Sequence, residues 1–434
     1  MTEAGASPRG RAQTATVWWD RPTAAAVLRD LLAETWQRLR PGTTPPDAFR
    51  TEATPPAPAA VADVRLDDGG LGADSLERLQ LATAAATFFR LYETGIEDAL
   101  LMKRTLGGWL DLIEESLGEY DASVGFTTGG TTGEPKVVEH RLDDLWREVR
   151  ALAALCRDRQ RVVALVPRHH IYGFIWTVLL PRALDVPVVD LRGGTPAGLG
   201  RKLAGGDLVV AIPDIWRLVA ETGARWPANV DGVTATAPCP AATARAAAQR
   251  AVRRLFEIYG STETGGIGWR ADPAEPYALL DHWRADSSGE TLTAERADGN
   301  ELRVAAPDTL QWRDAGHFTV GRRRDGLVQV AGTNVDPERV RAVLADHPEV
   351  AEAAVRPMNA DEGDRLKAFV VPHRMPDAPH ALGERVAAHA AERLTGVEQP
   401  RAIRVGRRIP RTGMGKLADW PTHDSHTEPA DDAS

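Results

Sequence analysis

Between residues 160 and 240 the chain repeats one pattern: a short apolar run, then a stretch rich in Ala, Leu and Arg at helical spacing. The runs are "RVVALVP" (161 to 167), "VPVVDL" (186 to 191), "GDLVVAIP" (206 to 213) and "VDGVTATAP" (230 to 238). Each has the length of a strand, and each is followed by a helical stretch and not by a two-residue turn. Such strands join through crossovers, which is the βαβ alternation of a largely parallel sheet. The fold class is therefore α/β.

The rest of the chain divides around this region. Its 434 residues suffice for about two or three domains. The pattern from 74 to 118 is helical: Asp74 or Ser75 can cap "SLERLQLATAAATFFRLY", and "TLGGWLDLIEESL" forms a further amphipathic stretch. "PGTTPPDAFRTEATPPAPAA" (41 to 60) is too rich in proline for a regular element and reads as a loop. From 321 the pattern is a strand, a turn at Gly332-Thr333-Asn334, a helix capped near Asp336-Pro337, and a small α+β domain beyond. The expected segments are a tail over 1–20, a helical region over 21–118, a core domain over 119–320, a C-terminal domain over 321–421 and a tail over 422–434.

Composition excludes several partners. A net charge of -9 disfavours nucleic acid and anionic membranes, which call for a basic face. The apolar run at 171 to 180 is too short to span a bilayer. Cys156 and Cys239 are the two cysteines and lack metal-type spacing, so a soluble, cytoplasmic protein without disulfides is expected.

"FTTGGTTGEPKVVEH" (126 to 140) packs glycines, threonines and one lysine into a few positions before the chain turns apolar. Glycines let backbone N–H groups approach an anion closely, hydroxyls add donors or a metal contact, and a lysine adds a point charge. Thr128, Gly129, Gly130, Thr131, Thr132, Gly133 and Lys136 together make a candidate phosphate loop. It is not the Walker pattern, because no Gly-Lys-Ser/Thr follows a four-residue gap.

Three further stretches occur in order. "PRHHIYGF" (167 to 174), "YGSTET" (259 to 264) and "PRTGMGKLADW" (410 to 420) join the Thr-Gly-Gly-Thr-Thr-Gly-Glu-Pro-Lys loop in an array that resembles the adenylate-forming superfamily. That superfamily includes acyl- and aryl-CoA ligases, peptide-synthetase adenylation domains and luciferases. The resemblance covers roughly residues 120 to 420. It implies a large domain with a mostly parallel sheet and a small mobile α+β C-terminal domain. It also implies that Mg-ATP and a small aryl or short acyl acid give an acyl-adenylate and pyrophosphate, and that a thiol of CoA or a carrier protein then captures the adenylate. Charge stabilisation at the α-phosphate is the main catalytic task in such a reaction. By resemblance Lys416 supplies it, Glu263 and Thr132 hold Mg²⁺, and Tyr259 stacks on adenine beside Gly260, Ser261 and Thr262. "ATAPCP" (235 to 240) resembles the segment lining the adenine, which points to Ala237 and Pro238. His170 sits where the family places a substrate-side histidine.

Two departures stand out. Where the family shows Thr-Gly-Asp for the ribose, this chain reads "RDAGHF", so either His317 or Asp314 takes that role or the loop no longer touches nucleotide. The hinge run "GRRRDGLVQVAG" is one residue longer than usual, with Arg324 or Asp325 as pivot. Ahead of the phosphate loop, "LDDGGLGADSLERL" resembles an acyl carrier protein whose serine bears phosphopantetheine, so a truncated adenylate-forming domain behind an N-terminal helical carrier-like bundle is expected. Ser75 would be the attachment serine, or Asp74-Ser75 merely a helix cap. Two rival functions remain. One is a diazotase that activates nitrite with ATP for attack by an aryl amine. The other is a non-catalytic carrier-like binding module, against which Lys136, Glu263 and Lys416 argue.

Overall fold

The computed structural model describes residues 17–40, 43–49, 64–67, 69–128, 136–222, 226–286, 289–296, 298–323, 326–359, 362–410 and 417–422. The chain divides into two compact units. The larger comprises Met1–Thr128, Val137–Val304 and Ala315–His317, and the smaller includes Phe318–Ser434.

Among the described residues, three long helices and the short helical turn Ala99–Met102 open the larger unit. Helix α1 (Arg21–Leu39) starts at Asp20, whose carboxylate accepts the Thr23 N–H at 2.8 Å. It buries Val27, Leu28, Leu31, Leu32 and Trp36. Helix α2 (Ser75–Phe89) begins with a capping box: Asp74 accepts from Glu77 N at 2.8 Å and Glu77 accepts from Asp74 N at 2.9 Å. The cap is therefore Asp74, and Ser75 is the first helical residue, exposed. Helix α3 (Leu106–Glu119) is capped by Thr105.

These helices do not form a bundle of their own. Phe88 of α2 packs edge-on against Phe126 at 5.6 Å and Phe174 at 5.8 Å, and Trp18 meets Phe174 at 5.1 Å. A carrier domain must close its own core to fold alone, whereas here the helices and the sheet layer share one. The expected separate carrier-like bundle is corrected on this ground. Trp18, within the segment expected as a tail over 1–20, is buried.

The sheet comes next. Strands β1 (Ser123–Thr128) and β2 (Lys136–Arg141) pair with each other, and helix α4 (Leu142–Leu155) leads on to β3 (Arg161–Ala164). Helix α5 (Ile171–Phe174) passes through a π-helical turn at Ile175–Leu179 into Leu180–Leu184. Then come β4 (Val188–Asp190), α6 (Pro196–Lys202), β5 (Asp207–Ala211), α7 (Pro213–Glu221), β6 (Val230–Thr234), α8 (Ala241–Gln249) and β7 (Val252–Ser261). Strands β8 (Gly265–Arg270) and β9 (Tyr277–Leu279) complete the order β9-β8-β7-β6-β5-β3-β4 within this unit. The centre, β4 through β7, is parallel as expected, while β8 and β9 are antiparallel, so the sheet is mixed. Gly232 of β6 lets α7 close on the sheet, since a Cβ there would lie 2.5 Å from the Trp216 ring. Strands β10 (Arg284–Ala285), β11 (Thr291–Glu295) and β12 (Glu301–Ala305) form a small sheet of their own, and β13 (Asp308–Trp312) and β14 (His317–Arg323) come after them in the chain.

In the smaller unit, β15 (Val328–Val330) and β16 (Thr333–Val335) form a hairpin whose two turn residues, Ala331 and Gly332, both have positive φ. Asp336 caps α9 (Pro337–Ala345) through Glu338 N at 2.9 Å. Strand β17 (Val350–Pro357) runs antiparallel to β18 (Leu366–Pro372), which pairs in parallel with β19 (Ala402–Val405), and α10 (Pro379–Ala391) covers them. Among the described residues no helix is long and apolar enough to cross a membrane. Both cysteines are free and buried, and burial pushes each thiol up to about 12.

The capping geometry separates two neighbouring side chains. Asp74→Ala is expected to cost about 1 kcal/mol of stability in urea unfolding, whereas Ser75→Ala stays within about 0.5 kcal/mol of the parent.

Candidate active site

Parallel strands send their crossovers out of one edge, so the loops after β3, β5, β6 and β7 gather at the carboxyl ends of the strands. From β3 the chain crosses to β4 on one side, while β5 pairs on the other. That reversal opens a crevice between β3 and β5, the place where α/β sheets bind ligands. His170 follows β3 and is the N-cap of α5. Two residues on, the Tyr172 hydroxyl donates to Ala211 O, at the end of β5, at 3.0 Å. Ala237 and Pro238 follow β6, and Tyr259, Gly260 and Ser261 end β7, with Thr262 and Glu263 in the turn beyond. Two crossovers, after β3 and β6, and the hairpin turn after β7 thus bring the expected residues His170, Ala237, Pro238 and Tyr259 to Glu263 to one edge.

A carboxylate outside those motifs fastens this edge. Glu257 of β7, 3% exposed, accepts from Cys239 N at 3.0 Å, the Tyr277 hydroxyl at 2.8 Å and Arg270 Nε at 2.8 Å. It ties the Ala237–Cys239 segment to the strand that carries Tyr259, whose ring lies 5.7 Å from that of Tyr277. A glutamate inside the apolar run "RRLFEIYGS" was the available signal, because a buried charge demands partners.

The turn after β7 is held from two sides. Thr264 Oγ1 accepts from Ser261 N at 3.0 Å and donates to Gly265 O at 2.8 Å. His140 of β2 donates from Nε2 to Thr262 O at 2.6 Å. Burial holds His140 below its usual range despite that bond, so the ring is neutral at pH 7. Glu263 projects from this braced turn and is exposed, a hard oxygen ligand suited to Mg²⁺. Behind it lies a cavity of about 250 Å³ whose lining includes His140, Glu148, Glu263 and His282. Glu148 of α4 is 3% exposed, and its carboxyl takes the space a Cβ would need at Gly266, 2.6 Å away. Gly265, at φ +68°, meets the same carboxyl.

His170 is not alone. His169 and His170 both turn Nε2 toward Glu34 Oε2 of α1, the latter at 2.9 Å. Against the cost of burial, these two bonds hold the Glu34 carboxyl well below the usual carboxylate range. The three ligand atoms lie within 4.8 Å of one another, close enough for a cation. His169 argues for hydrogen bonding instead. Its Nδ1 is buried without a partner among the described residues, and a metal on Nε2 would force a proton onto that orphan.

Gly129, Gly130, Thr131, Thr132, Gly133 and Lys416 lie outside the described residues, as do Arg324 and Asp325 of the hinge. Thr128 ends β1, and Lys136 begins β2, exposed. Asp314 is exposed after β13, and His317 opens β14, also exposed.

Residues 78–311 match the family described as AMP-binding enzyme, and residues 340–416 match the AMP-binding enzyme C-terminal domain. The chain is 40% identical over 363 residues to a 4-coumarate–CoA ligase of Halorhodospira halophila, covering 84% of this chain and 92% of that protein. It is 38% identical over 364 residues to a 4-coumarate–CoA ligase of Cereibacter sphaeroides, covering 82% and 86%. The solved o-succinylbenzoate CoA synthetase of Bacillus subtilis has a TM-score of 0.54 at 17% identity, over 92% of this chain and 91% of that one, a likeness of fold. The first family match begins inside α2, which removes the basis for a carrier segment there. A match over 92% of a relative's length likewise gives no support to a truncated domain.

Glu148 yields a pH test. Burial raises its carboxyl to about 7, partly opposed by a bond from the Gly266 backbone. Its folded pKa lies above the unfolded value, so the native state binds the extra proton. Stability is full below about pH 4.5 and falls as pH rises to about 7, by up to about 3 kcal/mol. Glu148→Gln cannot ionise. Its stability relative to the parent, measured by urea unfolding, is expected to improve between pH 4.5 and 8 and not to stay constant.

Proposed function

As the chain belongs to the family of AMP-binding enzymes and is an AMP-forming acid–thiol ligase, we propose that its acid is an aryl-substituted propenoic acid of the 4-coumarate class and its thiol that of coenzyme A. The observation that carries this is the convergence of His170, Ala237-Pro238 and Tyr259 to Glu263 on one edge of the sheet, from two crossovers and the hairpin turn after β7. The names of the two bacterial relatives point the acid toward 4-coumarate and the thiol toward CoA.

In the proposed reaction a carboxylate oxygen of the acid attacks the α-phosphorus of ATP and pyrophosphate leaves with the bond's electrons. The CoA thiolate then attacks the acyl carbon, and AMP departs as the thioester forms. Lys416 supplies positive charge where the two anions meet. Thr128 to Lys136 cradle the phosphates, Tyr259 stacks on the base against Ala237 and Pro238, and Asp314 or His317 meets the ribose. His170, steadied by Glu34, faces the acid. Glu263, with Thr132, would hold the Mg²⁺ that accompanies ATP and screens the phosphate charge. The fold gives no support to phosphopantetheine on Ser75, and the proposed acceptor is free CoA.

Pyrophosphate release across aryl and short acyl acids, with CoA thioester detected by mass, tests the proposal. Release and thioester with coumarate-class acids are expected; release only with nitrite and an aryl amine would replace it with diazotisation. Lys416→Ala should lower adenylate formation by about two orders of magnitude or more and spare capture of a preformed adenylate. Glu263→Gln should keep the fold and raise the Mg²⁺ concentration needed for turnover, since the amide loses the charge that holds a hard cation.

A further inference from the structure

The smaller unit contains a lysine with no exposure at all. Lys367, the second residue of β18, is 0% exposed. A buried ammonium persists only where its three donors find acceptors. Here they find Glu362 Oε2 at 2.6 Å, Asp419 Oδ1 at 2.8 Å and Trp420 O at 2.8 Å. Glu362 belongs to the connection between β17 and β18. The other two partners stand three and four residues after Lys416.

The same stretch is held by further contacts. Asn359 Nδ2 donates to Asp419 Oδ2 at 2.8 Å, and Arg356 Nη1 donates to Leu417 O at 3.4 Å. The Trp420 ring, 3% exposed, packs edge-on against Phe369 at 5.7 Å in a small apolar cluster with Ala354 and Ile409. Ala418 N donates to Pro410 O at 2.9 Å. The chain is therefore fastened on both sides of Arg411 to Lys416, by apolar burial at Ile409 and Trp420 and by one buried cation at Asp419. The Lys367 bond also holds the Asp419 carboxyl down at about 2, so the carboxylate stays charged throughout the neutral range.

We propose that Lys367 is a positioning residue for Lys416: its buried ammonium grips Asp419 and the Trp420 carbonyl and so anchors the chain three residues beyond the adenylating lysine. The inference rests on the role given to Lys416 above. A catalytic cation on a long flexible side chain loses conformational entropy when it reaches the reacting atoms. Anchoring its neighbour three residues on reduces that loss before substrate arrives. The grip serves the adenylation half-reaction alone, because thiol capture does not use Lys416.

The test measures the half-reactions separately, by pyrophosphate exchange and by CoA capture of a preformed aryl-adenylate. Lys367→Met, which keeps length and loses charge, is expected to lower exchange about ten-fold and leave capture within about two-fold. Asp419→Asn, on a half-exposed residue that tolerates substitution, is expected to lower exchange about three-fold in the same direction, and it carries the test if Lys367→Met does not fold. In a Lys416→Ala background, Lys367→Met should produce no further loss of exchange, because the residue it positions is gone. A merely structural role would lower both half-reactions together and add to the Lys416→Ala loss; either result overturns the inference, as does wild-type exchange in folded Lys367→Met and Asp419→Asn. If Lys416→Ala itself exchanges like wild type, the role assigned to Lys416 fails instead.

Discussion

Asp231 of β6 is fully buried, and an aspartate in that position stays charged only if cations surround it. Arg253 and Arg254, at the start of β7, reach it at 2.7 and 2.6 Å, and Arg159, just before β3, lies 3.5 Å away. One pair further along, Arg161 at the start of β3 binds Asp207 at the start of β5, at 2.6 Å. These contacts stitch the amino ends of β3, β5, β6 and β7 in one register. A slip of one residue would strand Asp231 without its partners, and a stranded buried charge costs about 3–5 kcal/mol. With that edge pinned, every crossover is committed to emerge at the opposite edge, where the site lies.

The two edges use charge differently. At the amino edge, arginine and aspartate neutralise each other and leave little for a ligand. At the carboxyl edge, Glu257 directs its charge internally, to Cys239, Arg270 and Tyr277, while Glu263, His170 and Pro238 remain exposed. A braced base beneath exposed groups is the arrangement that electrostatic catalysis needs, because groups already in place do not reorganise when charge develops. Neutral His140 adds to this by holding the Thr262 carbonyl and bringing no second charge beside Glu263.

Much of the central layer was legible because length and composition are local signals. Each of the four apolar runs contains a strand, Arg161–Ala164, Val188–Asp190, Asp207–Ala211 and Val230–Thr234. In the smaller unit the turn falls at Ala331-Gly332, one residue before its expected start, and Asp336 caps the helix as expected. The run from Tyr259 to Glu263 could be picked out because its signature is contiguous. What could not be read are pairs joined only by the fold: Glu34 and His169 stand 135 residues apart, Lys367 and Trp420 stand 53 apart, and neither pair leaves a periodic trace. The carrier resemblance misled for a related reason. Asp74 and Glu77 make a capping box, and any helix can begin with those letters.

The N-terminal helix shows what such a resemblance hides. Asp30 and Glu34 are four residues apart on α1 and so share one face. Asp30 accepts from Arg168 N at 2.8 Å and from Arg192 Nη2 at 2.5 Å, while Arg168 also reaches Asp190 at the end of β4 at 2.6 Å. Glu34 takes the next two residues, His169 and His170. One helical face therefore holds the whole turn after β3, beside the crevice where the strand order reverses. The helix is itself fixed by burying Val27, Leu28, Leu32 and Trp36, so apolar packing far from the crevice is converted into the orientation of His170. A substitution that loosens α1 would reach that histidine through Glu34, and through Asp30 and its two arginines it would reach Asp190 at the end of β4.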